Sequence, residues 1–300
     1  MNLGRFLPPL PRQHSAQQGN ARRDGAGART AGTAGAGVAG KAVTARRNQS
    51  TLWLDGTRAC VLGPAGGILR NLPLDAAGDV AAALKVLDSL IVKSEKTLLG
   101  VPRLRVLLGA GFVQYVVVPW QSGPPNARPA DWIPLARRQL VQHGVAGGES
   151  WRLAISDGPW GQSRLAVAVP EPLCAGIQRL GKARGMRAIA IEPAFTLGVA
   201  SYARRMHEGE IAIVELEPAG AHTALAQIGF RRGGQWTGFI ALPVAGALDA
   251  VLRDAGMLCA AGTPEHVYVI ASTGAASDAF RPVAQTPGVE WWPAPWGAIE

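Results

Sequence analysis

TLWLDG (Thr51–Gly56), TRACVLG (Thr57–Gly63) and GGILRNL (Gly66–Leu72) are three short apolar runs separated by glycine and proline, the pattern of a tight β-meander. Ala77–Lys93, AGDVAAALKVLDSLIVK, follows with Val80, Leu84, Leu87 and Ile91 at steps of three and four, which predicts an amphipathic helix starting near Asp79. A buried strand comes next, in LRVLLGAGFVQYVVVPW (Leu104–Trp120), two apolar runs broken by Gly-Ala-Gly. The same order restarts at Glu210. EIAIVELE (Glu210–Glu217), HTALAQIGF (His222–Phe230) and GQWTGFIAL (Gly234–Leu242) read as three strands, PVAGALDAVLRDAG (Pro243–Gly256) as a helix and HVYVIAS (His266–Ser272) as a buried strand. A short helical piece near Ala279 and a last strand around Val289 end the chain. No residue identity links the two halves; the order of elements does.

A duplicated βββαβ unit predicts a two-lobed α/β protein of the actin-like, ribonuclease H-like kind, with a cleft between the lobes. Residues 51–206 form the first lobe and 207–300 the second. Between the first unit and the second, a helix in DWIPLARRQLVQHG (Asp131–Gly144), a hairpin of WRLAIS and SRLAVAV around DGPWGQ, a helix from Pro172 to about Ala183, strand MRAIAIE and helix AFTLGVASYARRM enlarge the first lobe. The length of 300 residues fits two domains at about 100–200 residues each.

The net charge of +9 is local: residues 1–50 hold eight Lys/Arg and one acid, a charge of +7, leaving +2 for the rest. That segment is Gly/Ala/Arg/Gln-rich with almost no large apolar side chain after Leu10, so nothing repays the entropy of ordering it; it reads as a disordered arm. Its arginines could touch anionic lipid headgroups. Nucleic acid is a weaker match, because neither a basic helix nor interleaved aromatics accompany the charge. No apolar run approaches the roughly 18–20 residues that span a bilayer. Cys60, Cys174 and Cys259 are odd in number and set in apolar runs, which argues against disulfides and zinc and for a reducing cytoplasm.

Other motifs carry less. GAGVAGKA (Gly35–Ala42) has the lysine of a phosphate loop but alanine where Ser or Thr must hold Mg²⁺, and no strand precedes it. His14, His143, His207, His222 and His266 show no metal-ligand spacing. Glu215 and Glu217 share one face of a strand. They could form a general acid/base pair or simply a solvated strand end. WWPAPW (Trp291–Trp296) is broken by proline and is expected to pack against the protein's own sheet rather than build a regular core element.

On LRVLLGAGFVQYVVVPW, the WRLAIS/SRLAVAV hairpin and MRAIAIEPA, the chain resembles the actin-like cytoplasmic assembly proteins of bacterial type IV pili and type II secretion systems, the PilM-like and GspL-like proteins. The resemblance covers roughly residues 51–292 and rests on strand texture and order. It implies a cytoplasmic scaffold, peripheral to the inner membrane, that binds the N-terminal peptide of a bitopic, PilN-like partner. Mapped by the resemblance, the first nucleotide loop is Asp55, Gly56 and Thr57, and the second contains Glu215, with Glu217 where the family has glycine. The adenosine loop falls at Val269–Ser277, where Gly274 alone remains of a glycine pair. A bulky anion at Glu217 repels phosphate and blocks approach to the backbone.

The expectation is therefore a pseudo-ATPase without catalytic residues, obligatory cofactor or metal, with self-association left open. The alternative is an actin-fold ATP-binding protein or phosphotransferase that uses Mg-ATP through Asp55 and Glu215.

Overall fold

The computed structural model describes residues 49–63, 67–93, 102–121, 129–145, 150–219, 223–271 and 288–296. The tail, the Gly35–Ala42 motif, Gly274 and the helical piece near Ala279 lie outside the described residues.

The first unit comprises β1 (Gln49–Leu54), β2 (Arg58–Leu62), β3 (Ile68–Pro73), helix α1 (Val80–Leu90) and β4 (Arg103–Leu108). Asp79 starts α1 by accepting the Ala82 amide at 2.7 Å, an N-cap that satisfies an otherwise orphan donor. β5 (Gln114–Val118), α2 (Ile133–Gln142), β6 (Trp151–Ile155) and β7 (Arg164–Pro170) are inserted before α3 (Glu171–Ala183), β8 (Ala188–Pro193) and α4 (Ala194–Tyr202). The second unit is β9 (Glu210–Pro218), β10 (Ala224–Arg232), β11 (Gln235–Val244), α5 (Leu248–Leu258), β12 (His266–Ala271) and β13 (Val289–Pro293).

Two five-stranded sheets result, with orders β3-β2-β1-β4-β8 and β11-β10-β9-β12-β13, and the insertion forms a three-stranded sheet, β5-β7-β6. The two large sheets have one topology. Each begins with an antiparallel meander and continues with two parallel strands, β1 beside β4 and β4 beside β8, then β9 beside β12 and β12 beside β13. The duplicated unit read from element order is thus present strand for strand.

The first sheet starts two residues before the expected lobe boundary, because Gln49 and Ser50 already pair with Arg103 and Leu104. The Trp-rich end also differs from expectation. Val289–Pro293 is a regular strand, and Trp292 and Trp296 are buried. Pro293 is tolerated because it closes an edge strand, where a missing N–H costs no ladder bond.

β9 explains how the halves meet. Ile211 and Ile213 point into the core shared with Leu52, Trp53, Leu107 and Phe195, whereas Ala212, Val214 and Leu216 face a second core beneath α5. Strand alternation carries Glu215 and Glu217 onto the same face as Ile211 and Ile213, toward the first sheet. Aromatic contacts flank the junction: Tyr115 lies 4.5 Å from Phe239, and Trp53 lies 6.4 Å from Trp296, between ring centroids.

Candidate functional site

In open α/β sheets, ligands gather at the carboxyl ends of parallel strands. Here β1 leads into Asp55, β4 leads into the Gly109–Ala110–Gly111 turn, and the C-terminal half of β9 carries Glu215 and Glu217. The Gly109 amide donates to the Leu54 carbonyl at 2.8 Å, which brings the first two ends side by side. Gly56 and Gly111 then pack backbone against backbone; a methyl group on Gly111 would overlap the Gly56 Cα. Glycine is required there by close approach.

Asp55 is fully buried. Its Oδ1 accepts from the Thr57 amide at 2.8 Å, the Thr57 hydroxyl at 2.9 Å and the Arg58 amide at 2.8 Å, while Oδ2 accepts from Arg58 Nε at 3.0 Å. Four donors therefore engage this carboxylate. Asp55, Gly56 and Thr57 come together as one Asp-capped turn, in the manner usual for Asp-Gly.

Glu217 comes from the other sheet. Its Oε2 accepts the Ala110 amide at 2.8 Å, across 107 residues of sequence. The carboxyl lies so close to Gly109 that a Cβ there would overlap it. The side chain thus occupies the turn at the end of β4 and covers one of its backbone donors. Glu215, two residues earlier, is buried opposite Gln227 of β10.

Neither acid is a solvated strand end: both are only 2% exposed. Charge alone suggested solvent, but the face they occupy is the one that packs between the sheets. Both Glu215 oxygens and Glu217 Oε1 have no hydrogen-bond partner among the described residues.

Burial dominates the electrostatics. It pushes the Glu217 carboxyl up to about 8, helped by Asp55 and opposed by the Ala110 amide and Arg58. Glu215 is held well above the usual carboxylate range, by burial first and by Glu217 second. The Tyr115 hydroxyl is raised too, by burial and by Glu215, with Thr196 offsetting part of it. Ionised carboxylates in such a dry position are costly. Near neutral pH the Glu217 carboxyl therefore favours its protonated form.

Among the described residues, no group of three His, Cys, Asp or Glu is placed to hold a metal ion. A carboxylate already engaged by four donors and two buried acids whose hold on their protons is strengthened make a poor Mg²⁺ site, which requires charged oxygen ligands. His207 and His266, which sequence spacing did not connect, stack at 4.1 Å. Cys60 and Cys174 are buried, and burial raises both thiols to about 11, so both are packing residues rather than nucleophiles. No helix among the described residues is long and apolar enough to cross a membrane.

No family model matches the chain, and no curated protein matches it. Solved structures do. A protein of Bacteroides thetaiotaomicron VPI-5482 with an actin-like ATPase fold and unknown function aligns over 83% of this chain and 92% of its own, with TM-score 0.51 and 8% identity. A chain of a PilM–PilN type IV pilus biogenesis complex aligns over 85% of this chain and 91% of its own, with TM-score 0.51 and 14% identity. The cytoplasmic domain of EpsL, an inner-membrane component of the type II secretion system of Vibrio cholerae, covers 84% and 87% at 13% identity. Its TM-score of 0.41 adds nothing to the assignment. The fold is the actin-like ATPase fold.

Proposed function

We propose that the protein is a non-catalytic assembly scaffold of a type IV pilus or type II secretion inner-membrane platform, and that it binds a cytoplasmic peptide of a membrane-anchored, PilN-like partner. The observation that carries the non-catalytic half is the Glu217 carboxyl seated on the Ala110 amide. It fills the turn where a phosphate would need both space and backbone donors. Asp55 supports the same reading, because its lone pairs are engaged in the turn from Thr57 and Arg58. A phosphotransferase built on Asp55 and Glu215 would first have to free the one and ionise the other.

The assembly half is supported by the fold shared with a chain of the PilM–PilN complex. In this role the protein works in the cytoplasm at the inner face of the membrane, with the +7 tail contributing about 1 kcal/mol per basic residue near anionic headgroups. Binding needs no chemistry from the cleft, only a rigid pair of lobes that present a groove between or beside them.

The full chain, tagged and purified in mild detergent, tests the assembly half. Recovery of a bitopic inner-membrane protein, lost when that protein's cytoplasmic N-terminal peptide is deleted, is the expected result. Repeated recovery of no such partner would overturn it. Unchanged recovery from a chain lacking residues 1–48 would assign recognition to the lobes rather than to the tail.

A further inference from the structure

Glu217 reaches from one sheet to the backbone of the other, and four ionisable groups of the described residues face it. Asp55 and Arg58 face it from the β1–β2 turn, Glu215 from its own strand, and Tyr115 from β5. Arg58 is the single cation of this set, and its Nε is already bonded to Asp55. A second negative charge at Glu217 would therefore meet Asp55 without a counter-ion of its own. Among the described residues, the Glu217 Oε1 atom has no partner to hold such a charge.

We propose that Glu217 is a proton-linked latch: uncharged, it holds the end of β9 against the Gly109–Gly111 turn, and when its proton passes to solvent the end of β9 lifts from that turn while the shared apolar core stays closed. The driving force is hydration. An ionised carboxylate that stays in the closed junction is desolvated beside Asp55, whereas the parted junction admits water to it. The closed form thus binds a proton that the open form does not, and closure weakens as pH rises toward and past about 8. Gly109 is the other half of the device, since its missing side chain is what lets the carboxyl reach the Ala110 amide. The latch does not depend on which partner the protein serves.

Spin labels on the full chain at Ala76→Cys, beside the turn, and Thr223→Cys, at the end of β9, both exposed, in a Cys259→Ser background, report the separation of the β9 end from the turn by pulsed dipolar spectroscopy. At pH 6 a single short distance is expected. At pH 9 a longer component should rise at least tenfold in population, with circular dichroism unchanged. Glu217→Gln, which keeps the acceptor for the Ala110 amide but cannot ionise, should show the short distance at both values. Gly109→Ala should show the longer one already at pH 6. A distribution that does not change with pH in the chain carrying Glu217 would overturn the latch. So would a Glu217→Gln protein that opens with pH to the same extent. Should a variant fail to fold, the pH series on the chain carrying both Glu217 and Gly109 decides alone.

Discussion

Trp53 in β1 and Trp296 beyond β13 lie with ring centroids 6.4 Å apart at an interplanar angle of 53°, and both are buried. The two sheets are therefore joined at their apolar centre by residues that belong to opposite ends of the described chain. Tyr202 of α4 reinforces the same seam, donating its hydroxyl to the Pro293 carbonyl at 2.5 Å and packing 4.7 Å from Trp292. The Trp-rich segment that looked too broken by proline for a core element is what closes the junction.

Trp296→Ala should cost about 3–5 kcal/mol, as large-to-small changes of buried aromatics do. Urea unfolding followed by far-UV circular dichroism measures it. A loss below about 1 kcal/mol would mean that the indole packs on a face the protein can do without.

Gly109→Ala places a methyl group where the Glu217 carboxyl now sits. Destabilisation of about 1–3 kcal/mol is expected from overpacking. Glu217→Ala should recover a good part of it, because the clash needs both side chains. A double-mutant cycle reads the coupling directly, and additivity within about 0.5 kcal/mol would exclude the contact.

The pH dependence has a definite sign. Glu217 has an ordinary value of 4.5 when unfolded and about 8 when buried, so the folded state holds its proton more tightly. The stability associated with this group is fully present below pH 4.5 and is lost progressively as pH rises from there to about 8. The loss reaches about 3 kcal/mol near neutrality. Glu217→Gln should remove this slope and raise the melting temperature at pH 8. Parallel pH curves for the two proteins would show that Glu217 titrates normally.

The fold was legible because its signals are local. TLWLDG and EIAIVELE announce strands, Asp79 announces a helix start, and the repeat of element order needs no residue identity. The Asp55 turn was legible for the same reason, as its four donors come from Thr57 and Arg58, within three residues. The Glu217 contact was only half legible. That a glutamate replaces a glycine could be read from the resemblance; that it is buried and bonded to Ala110 could not, since its partner lies 107 residues away. In a strand such as IAIVELE, alternation tells which residues share a face but not which face meets another sheet. Tyr115 carried no signal at all: an aromatic in an apolar strand reads as core, and the place of its hydroxyl beside Glu215 emerges only from the assembled junction.

Asp55→Ala removes the acceptor for several buried donors at once. A loss of about 2–4 kcal/mol is expected, larger than for an ordinary turn residue because donors are left unpaired. Thermal denaturation measures it. A near-neutral Asp55→Ala would mean that the carboxylate is not a structural cap and is held in reserve for a ligand.

Calorimetric titration of the full chain with ATP and Mg²⁺ tests most directly whether the Glu217 carboxyl has replaced a phosphate at the junction of the two sheets. No saturable binding up to millimolar nucleotide is predicted for the protein as it stands. Micromolar binding that disappears in Asp55→Ala, with that variant still folded, would contradict it.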